Sequence, residues 1–290
     1  MTLAEQIQHL YKQANNADPD EARTVFATHR RELSAGHVRA AEPDASTDTG
    51  WRVNTWVKEG ILVGFRCGAI TTFPSANNNS PYLDKDTLPL KPVSTDSNIR
   101  IAPGGSSIRD GAFLGAGVIC MPPMYINIGA YVGDGSLIDS HALVGSCAQV
   151  GQRVHVSAAA QIGGVLEPVG ALPVIIEDDV LVGGNTGLYE GAVVKCRAVI
   201  AAGTVLTGST PIYDLPNERI IRPAQGHPTV VPEGAVVVPG GRTVRTGVGA
   251  DWGLSLATPV IVKYRDDRTD TKTELEACLL YTSDAADDTP

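Results

Sequence analysis

Asp139 sits in the run Ile138-Asp139-Ser140-His141, in a slot that neighbouring stretches fill with glycine (Gly115, Gly133, Gly145, Gly151). A carboxylate among small and apolar residues is costly unless it faces solvent, a partner subunit or a ligand. As an amine-binding group or base it would suit acyl transfer onto nitrogen, where the attacking amine must be neutral. An exposed turn aspartate is the alternative. Arg100 and Arg109 flank Pro103-Gly104-Gly105. A guanidinium captures a carboxylate in a planar, bidentate way, so each arginine is a candidate to hold an acidic substrate, with ordinary surface charge as the alternative. His141 and His155 raise the question of zinc. They lie fourteen residues apart, and His227 stands well beyond them, so the ligand count argues against a metal. His155 is expected instead to hydrogen-bond a neighbouring turn. The five cysteines (Cys67, Cys120, Cys147, Cys196, Cys278) show no C-x-x-C spacing, and Cys120 reads as a small buried hydrophobe. The small-residue run 192–210 would let an extended ligand such as a pantetheine arm lie close to the backbone, although stacking explains that run equally well.

A six-residue beat positions these residues. From Ile108 every sixth residue is apolar through Leu114, Cys120, Ile126, Val132, Ile138, Val144, Val150, Val156 and Ile162, and the beat resumes at Ile176, Val182, Leu188, Val194, Ile200, Leu206 and Ile212. Neither a strand of period 2 nor a helix of period 3.6 explains a six. A chain that bends after each short strand does, because each hexad then sends one apolar side chain to a common axis. Glycine often follows the apolar position, which predicts a turn that needs a residue without Cβ. Two residues before the beat the side chain is small (Ala112, Ala130, Ser136, Ala142, Ala148, Ala160), as a crowded corner demands. The reading is a β-solenoid of hexapeptide repeats with three hexads per triangular coil, about three coils in the first block and two in the second. Glu167 to Pro173 breaks the beat and predicts a loop projecting from one face, where binding surfaces are often built.

The flanks differ. Residues 1–40 have helical spacing at Leu3, Ile7 and Leu10, a break at Asp18-Pro19-Asp20, and a second helix over Ala22 to Leu33. Residues 41–50 read as a polar loop, Trp51 to Phe65 as a buried element with a helix from Asn54, and Pro74 to Lys91 as loop. Further strands are expected near Val231 to Pro239 and Val260 to Lys263. The resulting division is 1–99, mostly helical with a connecting loop; 100–238, the solenoid; 239–277, a small strand and helix extension; and 278–290, a disordered tail that need not belong to the natural domain.

Of the 290 residues 43% are apolar but only 5% aromatic, which fits a core of thin aliphatic layers. A net charge of −9 argues against nucleic acid as a partner. No apolar run approaches a membrane span and the first ten residues do not read as a signal peptide, so the expectation is a soluble, cytoplasmic chain.

Several stretches are similar to the tetrahydrodipicolinate N-succinyltransferase family: V-R-A-A-E (38–42), W-R-V-N-T-W-V-K (51–58), Y-I-N-I-G-A-Y-V (125–132), I-D-S-H-A-L-V-G-S-C-A-Q-V-G (138–151), I-G-G-V-L-E-P (162–168), S-T-P-I-Y-D (209–214) and P-V-I-V-K (259–263). The resemblance runs from about Glu5 to Leu275 and includes the ends outside the repeats. It implies a left-handed parallel β-helix, a homotrimer with active sites between subunits, and succinyl transfer from succinyl-CoA, as co-substrate rather than bound cofactor, to the amine of ring-opened tetrahydrodipicolinate on the route to diaminopimelate and lysine. It also implies that Arg100 meets a substrate carboxylate and that Asp139, matching the aspartate of the family's D-T-W-A, holds the amine and helps remove its proton. The chain departs from the pattern in four places. His141 replaces the tryptophan of that motif. In V-G-G-N-T-G-L-Y-E-G (182–191), Asn185 replaces an arginine and Gly187 replaces a glutamate. S-A-A-A-Q-I-G-G (157–164) replaces S-G-G-V-G-I-G-G. Transfer to another acidic amine, use of acetyl-CoA, or a solenoid without catalysis are the rival readings.

Overall fold

A computed structural model describes residues 1–74, 82–223 and 228–265. The tail 278–290, residues 266–277 of the C-terminal extension, Cys278 and His227 lie outside the described residues.

The hexads form a three-sided parallel β-helix. Each turn contributes a two-residue strand to three faces in succession. The first face stacks Arg100–Ile101, Ile119–Cys120, Leu137–Ile138, His155–Val156, Leu181–Val182 and Val199–Ile200. The second runs from Ser107–Ile108 through Gln161–Ile162 and Gly187–Leu188 to Val205–Leu206, and the third from Phe113–Leu114 to Val230–Val231. Tyr131 pairs with Gln149, eighteen residues on, so one coil is three hexads. The second residue of each strand points inward, and Ile126, Val132, Ile138, Val144, Val150, Val156 and Ile162 are all 0% exposed. Each such side chain is worth about 1.5–3 kcal/mol relative to an exposed one.

The coils are more numerous than the two blocks suggested, since the second and third faces each hold six strands. The insertion lengthens one corner without removing a strand. Ile162 ends one strand of the second face, Ile175–Ile176 opens the next on the third, and Ile175 pairs in register with Gln149. A longer excursion, 207–229, leaves between Leu206 and Val230 and carries the pair Ile212–Asp214 and Arg219–Ile221. The strand Ala235–Thr243 starts on the first face beside Val199–Ile200, runs across residue 238 without a break, and returns as Ser255–Tyr264.

The glycines after the beat have a different cause from the one expected. Positive φ falls three residues after the inward position, at His141 (61°), Cys147 (68°), Arg153 (53°), Ala159 (56°) and Asn185 (54°). Gly133, Gly145 and Gly183 instead lie where coils touch. A Cβ there would stand 2.6 Å from Gly151 C, 2.2 Å from Gly164 N and 2.5 Å from Ala202 N. Coil-to-coil approach selects glycine at these positions.

Three helices of the N-terminal region pack beside this scaffold. α1 (Leu3–Gln13) opens on a capping box between Thr2 and Glu5. α2 (Pro19–Ser34) has Asp18 as its cap and proline at its first position. α3 (Thr55–Cys67) buries Val57, Ile61 and Val63. Phe26 and Ile61 pack with Ile128 and Cys147 of the solenoid in one apolar cluster. Lys58, fully buried on α3, donates to the Ala171 carbonyl and so ties the inserted loop to the helix. The segment expected as a polar loop contains Ala41–Pro43, paired antiparallel with Trp51–Val53. The stretch expected as loop beyond Pro74 contains Tyr82–Lys85, paired with Ile70–Phe73.

Candidate active site

Asp139 stands at the corner between the first and second faces. Its own N–H is spent on the Val156 carbonyl at 2.9 Å, which fixes the backbone as a rung of the helix. Its Oδ1 accepts from the Ser140 N–H at 2.6 Å, and the half-exposed carboxylate makes no other hydrogen bond or ion pair among the described residues. A carboxylate held by one short backbone contact, with its second oxygen open, is oriented to receive an ammonium group. His141 closes the same corner. It is exposed, and its backbone N–H donates to the Pro123 carbonyl.

Arg100 lies on the first face at the open end of the solenoid. It pairs with Ile119, and Ile119 with Leu137, so Arg100 stands two rungs, about 10 Å, below the strand that leads into Asp139. Its exposed guanidinium makes no ion pair among the described residues. Arg109 is not comparable. It is committed to Asp84 and to the Tyr125 hydroxyl at 2.7 Å, and so pins the strand Tyr82–Lys85 to the solenoid. His155 projects from the first face in register with Leu137, apart from His141 at the corner. Among the described residues no group of three or more His, Cys, Asp or Glu side chains is arranged to hold a metal ion. Cys120 is fully buried and desolvation pushes its thiol up to about 12, which makes it the inert hydrophobe expected. The run 192–210 supplies the strands Val193–Val194, Val199–Ile200 and Val205–Leu206, and much of its backbone is taken up in rungs, as in Ala201 N–H to Val237 O at 2.8 Å.

Two features escaped the sequence. On the third face a cleft of about 360 Å³ is lined by Arg39, Trp51, Tyr131, Gln152, Glu177 and Cys196, among others. The Arg39 guanidinium lies 3.7 Å from the Tyr131 ring centroid, and burial lowers its pKa. Burial pushes the Glu177 carboxyl up, but hydrogen bonds from Lys195 (2.7 Å), Trp51 (2.8 Å) and Cys196 outweigh it and hold the group below its ordinary range. These contacts fasten the segment 39–51 to the solenoid, and no periodic signal joins residues so far apart in the chain. The second feature is on the face next to Asp139. The Tyr189 ring folds back across Gly187 and Gly163, where Cβ atoms would come within 2.5 Å and 2.8 Å of it. The coincidence of glycine at 187 with an aromatic residue two places on was the available signal.

A model of the N-terminal region of tetrahydrodipicolinate N-succinyltransferase matches residues 2–67, and a model of the hexapeptide repeat of succinyl-transferase matches residues 173–208. A 2,3,4,5-tetrahydropyridine-2,6-dicarboxylate N-succinyltransferase of Nitrobacter winogradskyi is 40% identical over 253 residues, covering 85% of this chain and 86% of that protein. The chain belongs to this N-succinyltransferase family. A family member from Aromatoleum aromaticum is 40% identical over 272 residues, 91% of this chain and 92% of its own length. Another from Polynucleobacter asymbioticus is 36% identical over 284 residues, 94% and 96% respectively. The three-sided coil is accordingly the left-handed parallel β-helix of the hexapeptide-repeat transferases. Within this N-succinyltransferase framework, Arg100 and Asp139 share one face and its corner; the departure at Asn185 stands at that same corner two coils further on, and Gly187 opens the second-face strand that follows it.

Proposed function

We propose that this chain is an acyltransferase that moves the succinyl group of succinyl-CoA to the amine of ring-opened tetrahydrodipicolinate, in the succinylase branch of diaminopimelate and lysine synthesis. The observation that carries the reading is the Asp139 carboxylate, oriented by Ser140 N–H and otherwise uncommitted, on a chain of this family. Asp139 receives the substrate ammonium and takes a proton from it. The neutral amine then attacks the thioester carbonyl. The tetrahedral intermediate collapses with cleavage of the C–S bond, CoA leaves as the thiolate and takes up a proton, and the succinyl amide remains. Arg100 holds a carboxylate of the acceptor from two rungs away.

Succinyl-CoA serves as co-substrate, and no resident cofactor or metal has a part. The family likeness implies as working unit a homotrimer with its sites between neighbouring subunits, and the exposed Arg100 and half-exposed Asp139 are open to such a neighbour. The enzyme works in the cytoplasm, with neither nucleic acid nor membrane as partner. Among the described residues no helix is long and apolar enough to cross a membrane. Thiol release from succinyl-CoA and acetyl-CoA, each with tetrahydrodipicolinate or L-2-aminopimelate, tests the proposal. Acceptor-dependent release with succinyl-CoA alone is expected. Release with acetyl-CoA alone, or none with either donor from folded protein, contradicts it.

A further inference from the structure

Tyr189 follows the inward Leu188 and begins the corner between the second and third faces, yet its ring does not leave along that corner. A Cβ placed on Gly187 would stand 2.5 Å from Cε2, 2.9 Å from Cζ and 2.9 Å from the hydroxyl of Tyr189, and one on Gly163 would stand 2.8 Å from its Cδ1. The ring therefore fills the outward side-chain space of position 187, where the chain departs from its family's motif. Two glycines on adjacent rungs form the seat. The ring is half-buried, and its hydroxyl makes no hydrogen bond among the described residues. A half-buried hydroxyl without a protein partner leaves a donor for a ligand or water.

The second-face strand under this hydroxyl leads back toward the proposed site. Gln161 lies one rung below Gly187 in the second face, and its Nε2 donates to the His141 carbonyl at 3.4 Å. His141 belongs to the Asp139 corner. On the outer side of the second face, Gln161 thus stands between the Asp139 corner and the phenol. A neutral O–H at this end attracts an anion by donating to it, whereas a carboxylate at position 187 would repel one.

We propose that Tyr189 is a specificity-determining residue whose hydroxyl donates a hydrogen bond to a substrate carboxylate lying along the second face. Both the dicarboxylate acceptor and the succinyl group carry such a carboxylate. The inference rests on the N-succinyl transfer reading above and adds the group that recognises the far end of one substrate. Steady-state kinetics of wild type, Tyr189→Phe and Gly187→Ala test it, with circular dichroism and oligomeric mass as checks on folding. Phenylalanine keeps the ring on its seat and removes only the hydroxyl. KM for one substrate is expected to rise roughly 10- to 100-fold, the size of a hydrogen bond to a charged group, with kcat little changed. A rise in acceptor KM assigns the bond to the acceptor, and a rise in succinyl-CoA KM assigns it to the succinyl group. Gly187→Ala displaces the ring with its hydroxyl and is expected to raise the same KM. Unchanged KM values in Tyr189→Phe, beside an active wild type, would reduce the ring to packing and overturn the inference while leaving the transferase reading intact. A folded but silent wild type would overturn both.

Discussion

At the scale of single residues, the ionisable groups divide into those spent on the scaffold and those left for chemistry. Arg109, Lys58, Lys195 and Glu177 are engaged with partners elsewhere in the chain, whereas among the described residues the Asp139 carboxylate accepts only from the adjacent Ser140 N–H and the Arg100 guanidinium makes no ion pair. His29 belongs to the scaffold. It is fully buried, its Nε2 bonds the Val57 carbonyl at 3.0 Å, and desolvation pulls its pKa down to about 4 against the opposing effect of that bond. The unfolded chain, with an ordinary histidine near 6.5, therefore takes up the proton first. The contribution of His29 to stability is complete above about pH 6.5 and is lost as the pH falls toward 4, at up to roughly 1.4 kcal/mol per pH unit. Denaturant unfolding across this range should show a shallower acid slope for His29→Gln than for wild type. Equal slopes would mean that other groups govern the acid limb.

At the scale of elements, the hexad beat was legible through Leu206 because geometry forces it: one inward side chain per strand and one strand per six residues. Ile212 keeps the count but pairs with Ile221 in the excursion, and Val230–Val231 takes the next place on the third face. Two things were not legible. The number of coils was hidden, because a loop inserted at one corner shifts the sequence frame while leaving the stack in register, as the pairing of Gln149 with Ile175 shows. The role of the glycines was misassigned, because a residue without Cβ serves positive φ and close approach alike. The two causes separate by mutation. Gly145→Ala would set a Cβ 2.2 Å from the Gly164 backbone nitrogen, while Gly203 has a φ of +75° and nothing within 4 Å of an added Cβ. Gly203→Ala is expected to cost about 1 kcal/mol, and Gly145→Ala about 3 kcal/mol or more, because backbone has to move. Equal losses in urea unfolding would refute the assignment. At the candidate site, Asp139 stood out in the sequence as a carboxylate in a glycine slot. The Tyr189 seat was not, since residues 163, 187 and 189 meet only after the coil has closed.

At the scale of the whole molecule, the solenoid acts as a ruler. It spaces Arg100 and Asp139 by rungs rather than by loop conformations, so the distance between the proposed carboxylate clamp and the proposed amine site is set by backbone hydrogen bonds. A ruler presents outer faces, and a groove needs a second wall. Sedimentation equilibrium is expected to give three times the 30.4 kDa chain. A monomeric mass with full activity would remove the inter-subunit site.

The most direct test of the central claim is the turnover of Asp139→Asn with saturating succinyl-CoA and acceptor, measured beside wild type. Asparagine preserves the size of the side chain and can still accept from Ser140 N–H, but it neither takes a proton nor offers a charge to the ammonium group. The account predicts a fall in kcat of roughly 100- to 10,000-fold, with mass and unfolding midpoint unchanged. Turnover at the wild-type rate would contradict it and move the chemistry away from this corner.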